Sequence, residues 1–387
     1  MSLTKLRSPS VWVMTKEYGP AIIGGLGTVA TELTKALKDS NVKTDVITAS
    51  VHRAFRFTRG SRTAILRLPF SNRFYRGKRL TFRPHSIRRI TARYLHRKPD
   101  VIHVHSLEFA QAALFFKRKY RIPVVYTCHS LVSKRGGRHT FRSKNQGKLL
   151  RRSNRIIVPS LWLKQQLRKR YPAAARRAIV IPHGVKSVSS RSGSKRYRLL
   201  FVGRLFKEKG IESLIRSVSL LSVKNRQVRL TVIGKGSRKY SKRLKSIARK
   251  KGISSKIRWR GFVPHKKVQR LYKAYGAVVV PSRKESFCLV ALEAMASGIA
   301  LVTTRAGGLK EFVNRDNAQI ITGMNSKAIA RAIQAMWDNP QRTLKRIRKG
   351  KLVAKRYSWR RTAARYKSVF IRLQKNKRRP LKRVKAR

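Results

Sequence analysis

Acidic residues are scarce: the 387-residue chain carries 13 Asp and Glu against 96 Lys and Arg, a formal net charge of +83. Between Glu108 and Glu208 there is no carboxylate side chain at all. Charge of this size excludes a folded core only when hydrophobicity is also low. Here 41% of residues are hydrophobic, so the expectation is a folded protein with a basic coat. Cysteine is nearly absent. Cys128 and Cys288 lie far apart, and neither has a Cys-x-x-Cys or His-rich neighbourhood, which argues against zinc and for free thiols in a cytoplasmic setting. No apolar run approaches the ~18 residues of a membrane span. The opening "MSLTKLRSPSVWVMTKEYGP" has no apolar stretch between a basic start and a small-residue cleavage site, so no secretory signal is expected. Asp-x-Asp occurs nowhere, which disfavours paired aspartates on Mn²⁺ or Mg²⁺.

What is present is a recurring run of four to seven β-branched residues followed by a helical stretch. "SVWVMT", "TDVITAS", "DVIHVH", "PVVYTCHS", "RIIVPS" and "AIVIPHGV" occupy the first half. "RLLFVGRL", "VRLTVIG", "KIRWRGFV", "AVVVPS", "IALVTT" and "AQIIT" occupy the second. Continuous apolar runs of this length read as strands of parallel sheets buried on both faces. The expected class is therefore α/β, two Rossmann-like doubly wound domains facing a cleft. Residues 1–185 form the first, 186–197 a Ser-rich, charged linker, and 198–355 the second. Residues 356–374 are a helix packing back on the first domain, and 375–387 a frayed basic tail.

Ligands of doubly wound sheets bind beyond the carboxyl ends of the strands, so residues there are the candidates. Gly24, Gly25 and Gly27 in "IGGLGTVATEL" would let backbone N–H groups approach an anion at a helix N-terminus, or would serve only as a tight turn. Arg204 and Lys209 follow the strand "RLLFV" and suit a diphosphate; the alternative is two surface cations. His105 and His129 end two strands. Glu285 and Glu293, eight apart in "ESFCLVALEAMASG", place one carboxylate just before a buried helix running from Ser286. The other falls about two turns, or ~12 Å, along it. A helix cap for Glu285 and a buried ion pair for Glu293 are the structural alternatives.

With these residues assembled, the chain resembles the retaining glycosyltransferases of family 4, which have the GT-B fold. "GGLG", "VIPHGV", "FVGRLFKEKG", the block from "GFVPHKK" to "GGLKEFV" and the late "YSW" occur in the family's order. The resemblance implies that Glu285 lies beside the donor sugar and Glu293 holds the ribose hydroxyls. Arg204 and Lys209 would bind the donor diphosphate with backbone help at Gly25. His129 would contact the sugar near its reacting carbon, Val263 would flank the base, and Glu311 matches another family acid. Around Phe287 the family's glycines are replaced by Ser286 and Cys288, so close backbone approach to the donor there is altered.

The activity this implies is metal-independent transfer of a sugar, with retention, from a nucleotide diphosphate sugar to a glycan, lipid or other cell-surface or spore acceptor, with no cofactor. The alternative from another class is a nucleic-acid or polyanion-binding protein on an inactive transferase scaffold, since clustered cations bind phosphates strongly. A third reading joins them: a transferase held peripherally on an anionic surface such as a membrane, acidic glycan or spore layer. Any nucleic acid would be bound without sequence preference.

Overall fold

The computed structural model describes residues 7–50, 54–132, 140–186 and 196–378. The chain divides into two compact units, Met1–Pro182 with Trp359–Arg387, and His183–Ser358. Nine of the twelve residues of the linker expected at 186–197 lie outside the described residues, as does the tail from 379.

The first unit is built on an eight-stranded sheet. Its spatial order is Ala178–Val180, Arg155–Val158, Val124–Thr127, Val101–Val104, Ser10–Thr15, Lys43–Ala49, Ala64–Leu68 and Arg56–Arg59. All neighbours pair in parallel except the last two, which are antiparallel. Those two strands were not anticipated. Their burial alternates or is slight, with Arg56, Arg59 and Arg67 interspersed, so neither forms the unbroken apolar run that marked the others. One face is covered by helices Gly25–Asp39 and Trp359–Arg378, where Leu33, Leu37, Tyr366 and Phe370 are fully buried. The Lys367 ammonium ties the two helices by donating to the Ser40 carbonyl at 2.7 Å. The second helix continues to Arg378, so Lys375–Arg378, read from the sequence as part of the tail, are helical.

The second unit is a six-stranded parallel sheet in the order Ile257–Gly261, Arg229–Ile233, Arg198–Val202, Ala277–Val280, Ala300–Thr303 and Gln319–Ile320. Alternate residues of each strand supply different cores: Leu199, Phe201, Val232 and Val279 to one, Leu200, Ile233, Val278 and Val280 to the other. This is the period-two consequence of a strand covered on both sides. Burying each Leu or Val side chain contributes about 1.5–3 kcal/mol. With acids scarce, hydroxyls and an amide cap the helices. Thr140, Ser160, Ser237 and Asn325 each accept from a backbone N–H three residues on, satisfying one orphan donor apiece. Among the described residues no helix is long and apolar enough to cross a membrane.

In each sheet the chain winds outward in both directions from one pair of central strands. In the first unit the reversal lies between Ser10–Thr15 and Val101–Val104; in the second, between Arg198–Val202 and Ala277–Val280. The segments leaving these strands are where a doubly wound sheet delivers side chains to a ligand.

Candidate active site

In the second unit, the segment after Val202 carries Gly203, Arg204 and Lys209, and the segment after Val280 carries Ser282 and Glu285. They meet at the reversal. The Lys209 ammonium donates to Glu285 Oε1 at 2.6 Å, and Ser282 Oγ donates to the same oxygen at 2.8 Å. The side chain of Glu285 is 9% exposed and that of Lys209 21%, so the pair is sheltered but reachable. The Arg204 guanidinium, exposed, lies over the Phe206 ring at 5.2 Å from its centroid, and Lys209 lies over the same ring at 5.9 Å. The Phe206 ring therefore has beside it both cations that the sequence offered for a diphosphate.

Two glycines make this approach possible. Gly210 has φ +70, and a Cβ there would sit 2.0 Å from the Pro281 carbonyl oxygen. Gly307 has φ +61, and its Cβ would sit 2.1 Å from the carbonyl oxygen of Glu285 itself, which also accepts from Gly308 N–H at 2.9 Å. Only a residue without a side chain allows both the left-handed backbone and the contact.

The helix expected from Ser286 begins instead at Leu289 and runs to Ala296. Glu293 is thus little more than one turn inside it, about 6 Å from its start rather than 12. The delay traces to Cys288, whose φ of 81 and ψ of 82 are left-handed; holding a non-glycine residue there costs roughly 1–3 kcal/mol. Its thiol pKa is pushed up by burial and by the Glu285 charge. Glu285 does not cap the helix: Cys288 occupies that position, without a side-chain cap bond. Phe287 is buried against Phe312, Tyr357 and the edge of His183, so its ring belongs to the core, and a ligand can meet only its backbone.

Both oxygens of Glu293 are engaged. His265 Nε2 lies 2.6 Å from Oε1, and the Tyr272 hydroxyl donates to Oε2 at 2.9 Å. Burial and the neighbouring carboxylate raise the phenol pKa of Tyr272 well above its usual value, which keeps it a donor. Val263 is half-buried against the core cluster that includes Tyr272 and Val268. Glu311 ends the 3-10 segment Gly307–Glu311; burial, and then the Glu311 charge, raise the phenol pKa of Tyr357.

In the first unit, His129 Nε2 lies 3.1 Å from His105 Nδ1, with the rings stacked at 5.3 Å. His105 in turn lies 4.2 Å, centroid to centroid, from His103. His103 Nε2 is 2.7 Å from Thr127 Oγ1, which is 3.0 Å from the Tyr366 hydroxyl. Burial lowers the His103 pKa to about 3, assisted by His129. Burial also lowers that of His129, whose surface is partly covered, to about 4. Both are neutral at pH 7. At the same reversal point, Ser106 Oγ accepts from Lys16 N–H at 2.7 Å. Gly25 is exposed and opens the helix Gly25–Asp39. The two amides before it, of Ile23 and Gly24, already have an acceptor in Glu17 Oε2 at 3.0 Å.

The sequence did not reveal Ser282, His265, Tyr272 or Glu17 as members of these clusters. Ser282 stands three residues before Glu285 and had a local signal. His265 and Tyr272 are 28 and 21 residues from Glu293, a pairing only the fold creates. Among the described residues no three His, Cys, Asp or Glu side chains group together as metal ligands.

Residues 23–187 match the family described as Glycosyltransferase Family 4, and residues 186–353 match Glycosyl transferases group 1. The chain belongs to glycosyltransferase family 4. The glycosyltransferase is 27% identical over 303 residues to the glycogen synthase of Mycobacterium tuberculosis (strain H37Rv), covering 74% of this chain and 72% of that protein. It is 28% identical over 301 residues to the D-inositol 3-phosphate glycosyltransferase of Arthrobacter sp. (strain FB24), covering 72% of each. Its fold is that of sucrose-phosphate synthase from Thermosynechococcus elongatus, with TM-score 0.80 at 20% identity over 95% of this chain and 100% of that one. Anabaena HepE, solved in complex with UDP-glucose, matches with TM-score 0.74 at 18% identity over 93% of this chain and 100% of that one. The family's GT-B architecture comprises two Rossmann-like domains, and the chain shares it.

Proposed function

We propose that this glycosyltransferase moves a hexosyl group from a nucleotide diphosphate sugar to an acceptor hydroxyl with retention at the anomeric carbon and without a metal ion. The observation that carries the reading is the Lys209–Glu285 bond of 2.6 Å at the sheet reversal, with Arg204 on the same aromatic ring. In the reaction the bond from the anomeric carbon to the diphosphate oxygen breaks, and a bond to the acceptor oxygen forms on the same face. The acceptor's proton passes to the departing phosphate. Positive charge develops on the sugar ring and negative charge on the diphosphate.

Fixed cations aimed at the developing negative charge are the main electrostatic device available. Arg204 and Lys209 supply it, and Glu285 with Ser282 fixes where the ammonium stands before the donor arrives. Glu293, oriented by His265 and Tyr272, takes the ribose hydroxyls on its remaining lone pairs. Val263 flanks the base, the backbone at Phe287 and Cys288 borders the donor, and Glu311 and the Gly25 amide complete its contacts. His129, neutral and held by His105, is assigned to the sugar. That HepE, of the same fold, binds UDP-glucose supports the choice of donor class.

A thermal-shift screen of nucleotide sugars tests this. At 100 times its Kd a true donor stabilises by about 2.7 kcal/mol, a shift of several degrees. EDTA leaves turnover unchanged. A chain that no nucleotide sugar stabilises refutes the donor reading, and EDTA inhibition reversed by Mn²⁺ refutes its metal-free half.

A further inference from the structure

We infer that the outer face of helix Arg238–Lys250 in the second unit is a docking site for a linear chain of phosphates, contacted through phosphate oxygens alone. From Ser213 to Lys284 the sequence has no Asp or Glu, and this helix lies in the middle of that stretch. Its inner face, Leu244, Ile247 and Ala248, is buried. Its outer face borders a depression of about 580 Å³, lined by Lys242, Arg243, Lys245, Ser246 and Arg249, with Ser254 from the adjoining turn.

The chemistry of that lining selects the ligand. Four of the six side chains are cations, which can only donate, and the other two are hydroxyls. Only the two hydroxyls can also accept from a base or sugar hydroxyl, and no carboxylate, amide or aromatic ring lines the depression to add acceptors or to stack on a base. A ligand made solely of acceptors, consecutive phosphates, suits such a wall better than a nucleotide strand or a glycan. The apolar side chains of the helix face the core, so nothing here inserts into a bilayer as an interfacial helix would.

Spacing agrees. Lys242, Lys245, Ser246 and Arg249 stand at i, i+3, i+4 and i+7, one stripe in which each turn advances about 5.4 Å. Arg243 is held by Glu212 at 3.1 and 3.3 Å. Among the described residues, Lys242, Lys245 and Arg249 make no ion pair, leaving a row of cations for successive phosphates. The site is separate from the residues assigned to sugar transfer, and the inference does not depend on that reading.

The test uses the full chain with inorganic polyphosphate as probe, measuring Kd against salt concentration. A triple variant, Lys242→Glu, Lys245→Glu and Arg249→Glu, should weaken binding at least tenfold. It should also flatten the salt dependence by about two to three powers, near one per lost contact. A control triple on helix Pro340–Lys355, Arg342→Glu, Lys345→Glu and Arg348→Glu, changes the net charge equally and should leave binding within twofold. Melting temperatures of both triples confirm folding, and sugar transfer should be unaffected in the first. Equal losses in the two triples overturn the proposal, because binding then follows overall charge. Tighter binding of single-stranded RNA or of phosphatidylserine vesicles than of polyphosphate, abolished by the first triple, overturns it in favour of a nucleic-acid or lipid site.

Discussion

Truncating Lys209 should expose how much the enzyme depends on the pair it forms with Glu285. In Lys209→Ala the Glu285 carboxylate, 9% exposed, keeps only Ser282 as a donor to Oε1. Removing one partner of a fully buried pair costs about 3–5 kcal/mol. Lys209 is 21% exposed, so water can enter the vacated space, and about 2 kcal/mol is the reasonable expectation. For a unit of this size that lowers Tm by about 4–8 °C. Glu285→Gln keeps the Ser282 contact but discharges the site, leaving an ammonium that can turn toward water, and should cost about 1 kcal/mol. In the double variant neither charge is stranded. The two losses should therefore not add: a coupling of about 1–3 kcal/mol should appear in urea unfolding of the four chains. Transfer from the nucleotide sugar should fall by about 10²–10³ in Lys209→Ala, the scale of losing one preorganised donor. Additive losses within about 0.5 kcal/mol would mean that the pair behaves like a solvent-exposed ion pair, and the argument for a preformed site would fail.

Gly307→Ala adds a Cβ 2.1 Å from the Glu285 carbonyl oxygen at φ +61, so the Glu285 loop must move; transfer should drop at least tenfold while Gly252→Ala, also at positive φ but with open space around it, keeps its activity, and equal activities would refute the clamp. Stability should depend on pH through His103. Its pKa is lowered to about 3 in the fold and is about 6.5 when unfolded, so the unfolded chain binds more protons in between. The contribution is complete above about pH 6.5 and is lost as pH falls toward 3, about 2 kcal/mol by pH 5 at 1.36 kcal/mol per unit. Chemical unfolding between pH 7.5 and 5 should show at least that loss in the native chain, since His129 is lowered as well, and a shallower one in His103→Asn; parallel curves would count against a neutral buried imidazole.

Much of the fold could be read from the chain because parallel strands buried on both faces leave uninterrupted apolar runs, and eleven-residue or longer helices leave a 3.6 period. The exceptions are instructive. Ala64–Leu68 and Arg56–Arg59 sit toward the sheet's edge, where one face is open, so their arginines broke the pattern. The start of helix Leu289–Ala296 was misplaced because Ser286–Cys288 are compatible with a helix by composition. A left-handed Cys288 is imposed by its surroundings and has no propensity signal. At the site, Glu285, Arg204 and Lys209 were legible as residues worth watching because they follow strand ends. Their union was not: Lys209 and Glu285 are 76 residues apart.

The succession of fully buried strands along the chain, the family's motifs and the few carboxylates kept in a basic chain are properties of the sequence alone, since each is written in neighbouring residues or their composition. Which oxygen of Glu285 receives Lys209, that Glu293 is shared by His265 and Tyr272, and that three histidine rings meet beside Thr127 were decided only when the chain folded. Those contacts join distant segments, and no local pattern of residues encodes the distance between them.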